Sequence, residues 1–131
     1  MLTQLPVVVG LTIARDITRG PSGNLNIIET YNGLRVDRFP AAVPPFSILV
    51  TLTDGEGSGR LELRVTKLDN PMVEARRLSL PLQLHDRLQQ LECLIRITNC
   101  VFPSPGIYLL CLFVDDEWIA QRSLRVVLKE P

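Results

Sequence analysis

What constrains this chain most is alternation. From Phe46 to Thr53, Phe46, Ile48, Val50 and Leu52 take turns with Ser47, Thr51 and Thr53. Over Arg60–Leu68 the apolar set is Leu61, Leu63 and Val65, and the polar set is Glu62, Arg64 and Thr66. Leu91, Cys93, Ile95 and Ile97 then alternate with Glu92, Arg96 and Thr98. A period of two puts successive side chains on opposite faces of an extended chain, so each segment is a strand with one face to bury. Val7–Ala14, Leu25–Tyr31, Leu78–Leu84, Ile107–Val114 and Trp118–Leu128 extend the series.

Turn chemistry separates these segments. Gly20-Pro21-Ser22-Gly23, Asn32-Gly33, Asp69-Asn70-Pro71 and Asp115-Asp116-Glu117 are reversal signals, and the glycine-rich Asp54–Gly59 reads as a hairpin loop. The proline-rich Phe39–Pro45 reads as a stiff crossing without regular structure. Leu78–Leu84 contains Pro81, which cannot donate to a ladder, so this strand belongs at a sheet edge. Ile107–Val114 is apolar on both faces and belongs at a sheet centre. The sum is an all-β fold, an antiparallel sandwich of eight or nine strands. One domain over residues 1–131 is expected, because a chain of this length buries about two-thirds of its unfolded surface without a disulfide or metal. The expected core is Ile27, Phe46, Ile48, Val50, Leu61, Leu63, Cys93, Ile95, Tyr108, Leu109 and Cys111.

Charge excludes several partners. Fourteen basic and 14 acidic residues cancel. They are also interspersed, with four basic and five acidic over 1–59, seven and five over 60–96, and three and four over 97–131. No basic stripe offers itself to nucleic acid, and the aromatic content is only 5%. No apolar run reaches the roughly 18 residues of a membrane span. Met1–Gln4 lacks the basic start of a secretory signal. Cys93, Cys100 and Cys111 are odd in number and have no paired spacing, so reduced, buried thiols and a bacterial cytoplasmic setting are expected.

Pro105-Gly106-Ile107-Tyr108 before an apolar strand is the signature of a tyrosine corner, in which the Tyr108 hydroxyl turns back to the preceding backbone. No cysteine lies two residues after Tyr108, where Leu110 stands, so the disulfide-linked antibody pattern is absent. Taken with Gly23-Asn24-Leu25-Asn26-Ile27-Ile28, Phe39-Pro40 and the strand from Phe46, the corner segment Pro103–Tyr108 and the terminal hairpin resemble an uncharacterised bacterial single-domain family, a domain of unknown function. The resemblance implies an immunoglobulin-like sandwich without a disulfide and carries no catalytic residues.

Chemistry-bearing residues are sparse. His85 is the only histidine, and its neighbour Asp86 projects to the other side of an extended chain, which argues against a nucleophile–histidine–acid arrangement. One histidine and three scattered cysteines do not make a zinc site. No small-molecule substrate and no cofactor is indicated, and an enzyme is not expected. Asp54, Glu56, Asp115, Asp116 and Glu117, with Asp16 and Asp86, sit in loops that simple up-and-down alternation would gather at one end. Hard oxygen ligands there would suit Ca²⁺, giving a C2-like binding domain as the alternative function.

The favoured function is a non-catalytic interaction or structural module that self-associates, as a homodimer or with a protein partner, through a sheet face or an unpaired edge. The reason is apolar surplus. Hydrophobic residues make up 46% of the chain, and Leu110, Leu112 and Val114 fill the second face of a strand whose first face is already assigned to the core. Leu49 and Leu94 also interrupt outward-facing registers.

Overall fold

The computed structural model describes residues 1–130; the domain expected over 1–131 is followed to that point, and Pro131 lies outside the described residues. Twelve strands form in chain order: β1 Leu2–Gln4, β2 Val7–Arg19, β3 Leu25–Thr30, β4 Gly33–Val36, β5 Ala41–Ala42, β6 Phe46–Thr53, β7 Glu56–Lys67, β8 Asn70–Leu84, β9 Leu91–Ile97, β10 Val101–Phe102, β11 Gly106–Val114 and β12 Glu117–Leu128. The count exceeds eight or nine because three short pieces add strands: β1, and the β5–β10 pair, which places two paired residues inside the proline-rich crossing.

Two sheets face each other. The four-stranded sheet runs β3-β2-β6-β9, and the six-stranded sheet runs β8-β7-β11-β12-β4, with β1 pairing at the start of β7. All pairings are antiparallel except β4 with β12. The chain passes from β6 in one sheet to β7 in the other, so Asp54–Gly59 is not a hairpin loop. This arrangement is an antiparallel immunoglobulin-like β-sandwich. Cys93, Cys100 and Cys111 are all free thiols.

The clearest alternating segments, β6, β7 and β9, bury the face their sequence assigns. Phe46, Ile48, Val50 and Leu52 of β6 meet Leu61, Leu63 and Val65 of β7 and Leu124 and Val126 of β12 in one core. Such burial is the main stabilising term, at roughly 25 cal/mol per Å² of apolar surface removed from water. Pro81 lies on β8, whose ladder partner is β7 alone, as an edge position requires. β11 sits between β7 and β12, at the sheet centre.

Two expectations about the core are corrected. Ile27 is 45% exposed, because β3 is an edge strand none of whose described residues enters the shared core. In β11 the register is opposite to the one expected. Tyr108, Leu110, Leu112 and Val114 are all 0% exposed and face inward, whereas Leu109 and Cys111 lie on the outer face. Leu110, Leu112 and Val114 therefore cannot form a partner surface; alternate residues share a face, and the face of Tyr108 is the core.

The corner that sets this register is present. The Tyr108 hydroxyl donates to the Ser104 carbonyl at 2.7 Å and accepts from the Ser104 N–H at 3.4 Å. Its ring meets Phe102 edge-on at 4.8 Å. Gly106 supplies the backbone the turn after Pro105 needs, with φ at +150°. Tyr108→Phe keeps the ring and removes both hydrogen bonds, so unfolding free energy should fall by about 1–2 kcal/mol in a urea titration.

Candidate interaction surfaces

The β6–β7 connection, the 85–90 loop and the β11–β12 turn share one end of the sandwich. Leu61 pairs with Val114, Gly57 pairs with Leu84, and Asp54 bonds Arg87 at 3.0 Å. The end of β2 instead folds over the outer face of the four-stranded sheet, where Asp16 takes Arg96 at 3.2 Å and Arg19 lies 3.7 Å from Glu92. Even at the shared end the carboxylates are engaged separately. Asp115 accepts the Arg60 N–H at 2.9 Å, and Glu56 lies 3.3 Å from the Thr3 hydroxyl. Among the described residues no three His, Cys, Asp or Glu side chains are grouped to hold a metal ion. Asp54, Glu56, Asp115, Asp116 and Glu117 thus do not assemble the cation site that the acidic loops suggested. Asp54, Glu56 and Asp115 are each engaged by a different local partner.

His85 is exposed at the end of β8. Burial pushes the Cys100 thiol up to about 11 and raises Cys93 and Cys111 as well, which keeps all three protonated and poorly nucleophilic at neutral pH. Two clefts of about 520 and 480 Å³ flank β4. Arg35 lines both, and Asp37 at the first is paired with Lys129 at 3.4 Å. Neither is lined by a histidine or a cysteine.

The outer face of the six-stranded sheet carries the apolar surplus, in the corrected register: Ile107, Leu109, Cys111 and Phe113. The chain largely covers it itself. Phe113 stacks on Trp118 at 6.3 Å, and the Arg64 guanidinium lies over the Phe113 ring at 4.1 Å. Arg64 is held there by Glu62 at 2.8 Å, and Arg77 links Glu62 to Glu74. The hydrogen bond from Arg64 keeps the Glu62 carboxyl below its usual range. Cys111 beneath this layer is only 7% exposed. Long polar side chains with apolar stems roof the strand, and no second chain is needed to explain its composition.

The sheet edges differ more. An open edge displays unpaired N–H and C=O groups, and folded proteins blunt it with charge, proline, bulges or brevity. β8 carries Pro81 and Arg76-Arg77, with register shifts at Val65–Thr66 and Thr66–Lys67 opposite. Arg76 also donates to the Thr98 carbonyl at 2.8 Å. β4 has only four residues. β3 is bent at Glu29, whose φ is +56°. β9 has no proline, bulge or brevity, and its two charges, Glu92 and Arg96, are of opposite sign. Its seven residues pair with β6 in unbroken register, and no other strand among the described residues pairs with it. Leu94, on its outer face, is 41% exposed, while Leu49 opposite it on β6 is buried beside Ala14, Ile17 and Leu25.

A family described as a family of unknown function matches residues 10–127. No curated protein matches the sequence. Among solved structures, a β-glucosidase from Listeria innocua aligns at 9% identity and a TM-score of 0.49 over 95% of this chain. Its complex with isofagomine aligns at 9% and 0.48 over the same share. This chain spans 16% of the glucosidase's length in both. An immunoglobulin-like protein from Pseudomonas aeruginosa aligns at 16% identity and 0.46, over 93% of this chain and 96% of that one.

Proposed function

The chain belongs to DUF6941, a family of unknown function, and on that premise we propose that it is a non-catalytic protein-interaction module whose partner is a second copy of itself. The observation that carries this reading is the β9 edge. The terminal strands β8, β4 and β3 carry proline and arginines, brevity and a bend, whereas the terminal strand β9 keeps seven residues of regular backbone with an exposed leucine at their midpoint. Protein edges left in this state are those that gain a strand on binding.

The polar chemistry supports a binding role over a catalytic one. The clefts hold no histidine or cysteine, and burial keeps the thiols protonated. Three free thiols fit a reducing, cytoplasmic compartment. Among the described residues no helix is long and apolar enough to cross a membrane.

The test is the concentration dependence of mass. Light scattering on the purified chain should report a dimer. Leu94→Lys places a charge on the exposed face of the edge, as natural edges do, and should return the chain to a monomer with an unchanged melting temperature when both are measured dilute. A wild-type chain that is monomeric at every concentration would exclude the reading.

A further inference from the structure

The strand Leu91-Glu92-Cys93-Leu94-Ile95-Arg96-Ile97 has a mirror plan. About Leu94 as centre, Glu92 reflects onto Arg96, Cys93 onto Ile95, and Leu91 onto Ile97. Glu92, Leu94 and Arg96 are the exposed residues, and Ile95 and Ile97 are buried in the core. Resting on the self-association just proposed, we infer that two copies pair β9 with β9, antiparallel, about a two-fold axis at Leu94, joining their four-stranded sheets into one continuous sheet of eight.

Charge selects this register. In a two-fold antiparallel pair the residues opposite each other are equidistant from the axis. With the axis at Leu94, Glu92 of each copy lies opposite Arg96 of the other, giving two attractive cross-strand pairs on the outer face. An axis at Cys93 or Ile95 leaves one charge opposite Leu94. An axis at Glu92 or Arg96 sets like charges face to face. Only the Leu94 axis matches both charges while keeping each copy's apolar set on the core side.

The surroundings fit the same arrangement. Arg96 is held on the outer face by the Ser47 hydroxyl at 2.8 Å and by Asp16 at 3.2 Å. Glu92 lies 3.7 Å from Arg19. The side chains of Arg96 and Glu92 remain 48% and 38% exposed, so each has capacity for a second partner. Leu94 is paired to Leu49 within the chain. The axis brings Leu94 against its copy, so a leucine row Leu49–Leu94–Leu94–Leu49 crosses the seam.

Charge exchange tests the register. E92R alone and R96E alone each turn both attractive pairs into repulsive ones, and dimer affinity should fall about tenfold or more for each. An equimolar mixture of the two variants should recover a mixed dimer, because every cross-pair is then attractive. The double variant E92R/R96E should recover a homodimer, which also shows that the variants fold. Sedimentation velocity on the full chain at low salt reads all four. If the single variants stay as dimeric as the wild type, or the mixture fails to pair, the Leu94 register is wrong while self-association stands. If the wild type is monomeric, the edge is left to a strand of some other protein, and both readings fall.

Discussion

Leu112→Ala should lower the unfolding free energy by about 2–5 kcal/mol, the cost of removing a fully buried leucine side chain and leaving a cavity. Leu112 is 0% exposed in β11, between Leu63 on one side and Ala120 on the other. Ile107→Ala removes apolar carbon from the opposite face of the same strand, where the side chain is 44% exposed, and should cost under about 1 kcal/mol. The two variants sit on one strand and both pair with β12, so their difference reports chiefly the face each side chain takes. Chemical denaturation of both, with equal m-values, gives the comparison. Equal losses would mean that the assigned facing of β11 is wrong.

Gly57→Ala should be the most damaging glycine substitution in the β6–β7 region, at about 1–3 kcal/mol from backbone strain alone. Gly57 has φ at +106°, which a side chain resists. An added Cβ would also meet the Met1 carbonyl oxygen at 2.5 Å and the Leu2 Cα at 2.8 Å. Those are backbone atoms of the segment that pairs with β7, and they cannot swing aside as a side-chain tip does. β1 must lift, and the amides of Leu2 to Gln4 should exchange with solvent much faster than in the wild type. Gly10→Ala is the control. There the nearest contact is an ordinary 3.4 Å to the Thr51 hydroxyl, so the change should be close to neutral or slightly stabilising. Matching behaviour of the two variants would refute the close approach of β1.

These glycines show what a strand pattern conceals. A run of Gly55, Gly57 and Gly59 reads as a flexible loop when only turn chemistry is considered. In the structure Gly57 and Gly59 lie within β7, where another group comes too close for a Cβ: β1 at Gly57 and the Asp115 carboxylate at Gly59. Isolated glycine in a strand marks close approach as often as a turn, and the alternation resuming at Leu61 was the available signal.

β11 was ambiguous for a different reason. Its odd and even positions are both apolar, so alternation identifies a strand but not its inward face. The corner motif held the answer. A tyrosine corner puts the ring of Tyr108 in the core, and every second residue after it must follow. The edge position of β8 was readable, because Pro81 lacks a donor wherever it sits. That β9 is also an edge was not readable, since this depends on the absence of a further strand beside it. Its mirror plan was present in the residues all along, but gains meaning only once the strand is known to be open. Ile27 failed as a core residue because burial depends on what the other sheet covers, which a single strand's composition does not encode.

The blunting of three edges sets a limit on growth. A subunit with two open edges can add neighbours on both sides without end, which is the geometry of a fibril. Pro81 and the arginines on β8, brevity on β4 and the bend at Glu29 on β3 make those three terminal strands poor templates for a further strand. Any strand that joins β9 occupies that edge. The dimer proposed through this edge would close on itself, since a two-fold contact uses the same edge of both copies and leaves neither free to extend the sheet.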